Sequence, residues 1–171
     1  MIVRLFDKFV FALLFIAALQ VPILADHYRQ YLTGYYDATR DEVNAIAAMA
    51  QRHGYKSASA LLESLAQNSE AVVREDAKRK VAMFEELIDL ETGIRTLTYG
   101  HYFEKLGYMV SPTRTDRLAR VLTNFKPAIP LTPASLIFSL ITAILINLLL
   151  WSPYFCYCGV RKLRRKRHHP A

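Results

Sequence analysis

The chain has 171 residues, 53% of them apolar, and a formal charge of +7. That length holds one modest domain, and with only two cysteines, Cys156 and Cys158, the residues before them must fold without disulfides. Residues 26–130 carry 14 acidic and 14 Lys/Arg side chains, the first 25 residues sum to +1 and the tail to +6, so the basic surplus belongs to the two ends of the chain and nucleic acid is not the implied partner.

Arg4 and Lys8 precede the apolar run Phe9–Ala25, which only Gln20 and Pro22 interrupt. A cleaved signal peptide and an uncleaved span both begin this way. The run is longer than a usual signal core, and Ile23 stands where a small residue is preferred, so residues 1–25 are read as an N-terminal transmembrane helix. Pro22 lacks a backbone donor and predicts a kink or break there.

Asp26 opens a helical stretch ending at Gly54, a residue suited to the left-handed position after a helix. Tyr28, Tyr31 and Tyr35 recur at helical spacing. An apolar ring with a wet hydroxyl suits the headgroup zone, so these three, with Trp151, are assigned to an interfacial aromatic belt; a ligand-stacking face is the alternative. Val43, Ile46, Ala47 and Ala50 give a core-facing stripe. A short second helix follows, capped by Ser57 or Ser59, with Leu61, Leu62 and Leu65 as its apolar side.

Ser69 is expected to open the longest element, to about Leu106, with Val73, Ala77, Val81, Phe84 and Ile88 buried. Its opposite side, including Glu85, Glu86 and Asp89, reads as solvated charge. Gly93, Gly100 and Gly107 are seven apart and mark either a close-packing seam or helix breaks, with a break near Gly93 or Gly107 favoured. Ser111-Pro112-Thr113 starts a further helix, with Thr113 and Asp116 as an alternative capping pair. Leu118, Val121, Leu122 and Phe125 form its apolar face. Pro127 and Pro130 make Lys126–Thr132 an extended linker, and Thr132-Pro133 suits the cap and first residue of a second span.

No charge appears between Lys126 and Arg161. About 20 apolar helical residues cross a hydrocarbon core of roughly 30 Å, so residues 131–158 are read as a C-terminal transmembrane helix. Arg161, Lys162, Arg164, Arg165, Lys166 and Arg167 follow, in a basic cytoplasmic tail at 159–171. They place that end inside and against the anionic headgroups of the bilayer, at about 1 kcal/mol per residue. Two crossings then leave residues 26–130 outside as a periplasmic all-helical domain. Gln20 and Asn147 are the strongly polar side chains of the spans and are assigned to hydrogen bonds with the other helix or a partner's helix.

Sites with known spacing rules are missing from the sequence. There is no His-Glu-x-x-His, no Gly-x-Ser-x-Gly and no phosphate-cradling glycine loop. Glu-x-x-His occurs only in reverse, as His101 and Glu104. Cys156 and Cys158 read as interfacial filler rather than as metal ligands with His168 and His169. Asp37/Asp41 and Glu85/Asp89 put carboxylates on one helical face beside Arg40, Lys78 and Arg79, again as solvated charge. His101, between Tyr99 and Tyr102, is the best single candidate for a pH-sensitive or binding residue. No catalytic, cofactor-binding or metal-binding residue is assigned.

The short basic start before an apolar span, Gln30-Tyr31-Leu32 followed by Asp37-Ala38, and FKPAIPLTP at Phe125–Pro133 resemble a family of bacterial two-span inner-membrane proteins, domain of unknown function 2937. The resemblance covers nearly the whole chain and implies topology and a bacterial setting but no mechanism; the very basic, histidine-containing tail departs from it. The expected fold is an all-α membrane protein, two transmembrane helices flanking a periplasmic helical domain. The expected function is structural or accessory, assembling with itself or with an envelope complex through the periplasmic helices. A sensor-like periplasmic binding module that signals through a separate partner is the alternative, and an enzyme is not expected.

Overall fold

Amphipathic stripes at helical spacing, with no strand alternation to compete, give helices throughout the described part of the chain. The structure, a computed structural model, describes the backbone of residues 2–167 and the side chains of residues 5–152. It contains α1 (Ile2–Arg52), α2 (Ala58–Ala66), α3 (Ala71–Tyr99), α4 (Tyr102–Met109), a 3-10 turn (Pro112–Arg114), α5 (Thr115–Thr123) and α6 (Pro133–Arg167), and no strand among the described residues. The chain divides into two compact units: residues 1–23 with 126–171, and Leu24–Phe125.

In the first unit, α1 and α6 are long and apolar enough to cross a membrane, α6 over Pro133–Ser152. Of the kink or break expected at Pro22, the break does not occur, since Pro22 lies inside α1. Proline removes one backbone bond, whereas opening the helix in apolar surroundings would leave several polar groups unpaired at some kcal/mol each. The start of α6 is set locally: the Thr132 hydroxyl accepts the Ser135 backbone N–H at 3.4 Å. Every fourth residue after that is small and buried, at Ser135, Ser139 and Ala143, the pattern that lets helix backbones approach closely. Leu140, Ile144 and Leu148 lie exposed.

The second unit is a helical domain. Gly54, with φ of +79°, ends α1 in the left-handed conformation. The Ser57 hydroxyl then caps α2 by accepting the Ala60 N–H at 3.1 Å. Ile46, Ala50, Leu61 and Leu62 form a core to which Tyr55, Leu65 and Phe84 add. Asn68, rather than Ser69, organises the entrance to α3, its side-chain oxygen accepting the Glu70 N–H at 2.9 Å.

The buried face of α3 departs from the expected stripe. Ala77, Leu90, Gly93 and Leu97 are buried, whereas Val81 and Ile88 stay 47% and 67% exposed. Two sets of neighbours grip this helix. Its first half packs with Phe84 against the α2 core, while at Gly93 it meets Leu32 of α1 and Tyr108 of α4, so the buried side shifts along its length. The helical break falls at Gly100, not at Gly93 or Gly107, which lie inside α3 and α4. α4 restarts at His101, whose backbone N–H donates to Glu104 Oε2 at 2.9 Å. Pro112 opens the 3-10 turn before α5, and neither Thr113 nor Asp116 supplies a side-chain cap there.

Candidate functional site

On α3, Glu86 and Asp89 are three residues apart and share a helical face. Opposite them, Arg114, which ends the 3-10 turn, and Arg117 in the first turn of α5 have the same spacing. Arg117 forks, Nη1 donating to Asp89 Oδ2 at 2.9 Å and Nη2 to Glu86 Oε1 at 3.0 Å. Arg114 Nη2 donates to the other Asp89 oxygen at 3.0 Å. Both lone-pair sides of Asp89 are thus engaged, the geometry that guanidinium groups satisfy and ammonium groups do not. Burial alone would raise the Asp89 carboxyl, but the bonds from Arg117 and Arg114 outweigh it and hold the group below the usual carboxylate range.

Aromatic rings extend this clamp inward. The Arg114 guanidinium lies 4.1 Å from the centroid of the Tyr108 ring, and Tyr108 meets Tyr28 edge-on at 6.1 Å and 87°. Arg117 lies 6.0 Å from the centroid of the Tyr35 ring. Residues of α1, α3, α4 and α5 therefore meet in one contiguous network.

Beside the clamp an open cleft of about 600 Å³ runs between α1 and α5. Gln30, Tyr31, Gly34 and Tyr35 form its α1 wall. Glu86 and three residues of α5 (Asp116, Arg117 and Arg120) form the rest. A second opening of about 310 Å³ shares Gln30, Tyr31 and Arg120 and adds His27, Val121 and Asn124. Glu86 and Arg117 are bound to each other, while Asp116 and Arg120 form no ion pair among the described residues. No group of three or more His, Cys, Asp or Glu able to hold a metal ion occurs among the described residues.

The model of a family described as "Protein of unknown function (DUF2937)" matches residues 2–164. The chain belongs to this family. No curated protein and no solved structure matches it. In this DUF2937 chain the family match spans both units, so the clamp, the cleft and the apolar stretch Pro133–Ser152 lie within the matched length.

The residues singled out in the sequence fall in different places. Tyr28 has 0% exposure and belongs to the core of the helical domain; Tyr31 and Tyr35 instead line the cleft. Trp151 is half-buried on α6. Gln20 Nε2 donates to the carbonyls of Ile16 at 3.2 Å and Ala128 at 3.3 Å, and Asn147 Nδ2 donates to Asp7 Oδ1 at 3.2 Å, linking α6 to α1 within the first unit. Arg161, Lys162, Arg164, Arg165, Lys166 and Arg167, like Cys156 and Cys158, lie outside the described side chains, and His168 and His169 lie outside the described residues. The clamp is what the sequence reading missed, because it took Glu86 and Asp89 for solvated charge. Two acids three apart on one helix and two arginines three apart on another were the available signal.

Proposed function

We propose that this protein is a structural or accessory component of a bacterial inner membrane, not an enzyme. In this reading α1 and α6 cross the bilayer, both ends are cytoplasmic, and residues 26–130 lie in the periplasm and assemble with a second copy or with an envelope complex. The basic block Arg161–Arg167 supports the orientation through the bias of Lys and Arg toward the cytoplasm. The observation that carries the assembly is the exposure of Val81 and Ile88, two helical turns apart on one side of α3. Apolar surface in register on a helix fixed by the clamp is suited to docking.

The test places a photo-crosslinking residue at Ile88, with Glu75 as control, in the full chain in its membrane, and identifies the products by mass spectrometry. A stoichiometric envelope protein or a second copy captured at Ile88 and not at Glu75 is the expected result. Equal labelling at the two positions, or none at Ile88, overturns the assembly reading. A C-terminal reporter active only in the periplasm overturns the topology.

A further inference from the structure

We infer that the cleft along α1 and α5 is a binding site for a small zwitterion, its oxyanion held by Arg120 and its ammonium group by Asp116. The inference goes beyond assembly and stands whether or not Val81 and Ile88 dock a partner.

Charge accounting in the cleft leads there. Arg117 is spoken for, because its fork is committed to Asp89 and Glu86. Two charges remain, Asp116 and Arg120. They lie four residues apart on α5, a rise of about 6 Å along the helix. Opposite charges at this spacing commonly pair, yet these two do not pair with each other or with another described residue. Both instead line the 600 Å³ cleft, where a molecule carrying both signs would complement the two of them.

The surroundings of each charge suit its part. Arg120 lines both openings, and the polar residues Gln30, Tyr31, Asn124 and His27 line one or both with it. A guanidinium among residues able to donate hydrogen bonds suits a carboxylate or phosphate. Tyr35 lines the same cleft as Asp116, and aromatic rings attract ammonium groups. A simple dianion would meet Asp116 and Glu86, and a simple cation would meet Arg120, so each is disfavoured. The chemistry selected is an oxyanion and an ammonium joined by a two- or three-atom spacer. A free amino-phosphate and the ethanolamine headgroup of a phospholipid share that chemistry.

The test is calorimetric titration of the full-length protein in nanodiscs of phosphatidylglycerol, which carries no ammonium group. The probes are phosphoethanolamine, inorganic phosphate and ethylamine. Phosphoethanolamine is expected to bind at least about tenfold more tightly than either single-charge probe. Arg120→Gln should abolish binding of phosphoethanolamine and phosphate. Asp116→Asn should weaken phosphoethanolamine about tenfold and leave phosphate unchanged or improved. Both residues are exposed, and unchanged thermal midpoints of the variants show that each remains folded.

Adding phosphatidylethanolamine to the discs distinguishes the two sources. If the lipid competes with the soluble probe, the headgroup is the ligand; if it does not, the site takes a free molecule. No phosphoethanolamine binding at millimolar concentration, equal binding of inorganic phosphate, or binding indifferent to Arg120→Gln overturns the inference.

Discussion

Gly93→Ala reverses the usual effect of replacing a helical glycine. In an open helix interior the change gains about 1 kcal/mol of helix propensity. Here a Cβ would stand 2.7 Å from Tyr108 Cζ and 2.9 Å from Leu32 Cδ1, and closer still to the Tyr108 hydroxyl. Neither neighbour has free space to retreat into: Leu32 is fully buried, and Tyr108 is held edge-on to Tyr28 and stacked beneath Arg114. Over-packing costs about 1–3 kcal/mol, and disturbing the aromatic and cation–π contacts adds about 1–2 kcal/mol. Against the propensity gain, the net is a loss of about 1–4 kcal/mol. The assay is urea unfolding of the full chain in detergent, followed by helical circular dichroism. Gly107→Ala is the control, because its added Cβ meets nothing within 4 Å, and it should be neutral or stabilising by up to about 1 kcal/mol. In a Tyr108→Ala background, which removes the nearer contacts and opens space beside Leu32, Gly93→Ala should lose most of its cost. A Gly93→Ala protein as stable as the parent, or one whose deficit is undiminished without the Tyr108 ring, would refute the packing argument.

Three further outcomes are expected. Because the folded-state carboxyl of Asp89 is depressed, its stabilisation is present above the unfolded value of about 3.9 and is lost as pH falls through the lower folded value. Asp89→Asn should cost about 1 kcal/mol at pH 7, discounted because the side chain is 41% exposed, and the deficit should vanish near pH 2; equal deficits at the two pH values contradict the clamp. Ser57→Ala removes the cap of α2 and should lower the urea midpoint by the equivalent of about 1 kcal/mol. Asn147→Leu and Asp7→Ala, combined in a double-mutant cycle in bicelles, should show a coupling of about 0.6 kcal/mol, and strict additivity would mean that their 3.2 Å bond contributes nothing.

Helix class and several boundaries were legible because their causes are local. The left-handed Gly54, the Ser57 cap and the Thr132-Pro133 start each depend on residues within a turn. What failed depended on which helices meet. Val81 and Ile88 look as buried as Ala77 in a periodic pattern, and only the change of neighbours along α3 leaves them outside. Glu86 and Asp89 look solvated until Arg117, 28 residues beyond Asp89, arrives on another element. A tyrosine suits both a wet interface and a core lined by other rings, so spacing alone could not separate buried Tyr28 from its cleft-lining neighbours. Gln20 and Asn147 stood out as polar groups in apolar stretches, but the identity of their partners was not encoded nearby.

The pairing of Tyr28 with Tyr108 has a consequence for synthesis. Some 80 residues separate the two rings, and a ribosome adding roughly 5–20 residues per second needs about 4–16 s to reach the second after the first. Throughout that interval the inward side of α1 around Tyr28 and Leu32 has been made and its cover has not. The nascent chain must therefore be shielded there by something other than itself, so a delay in translation between α1 and α4 would prolong the time during which this apolar side stands open to aggregation.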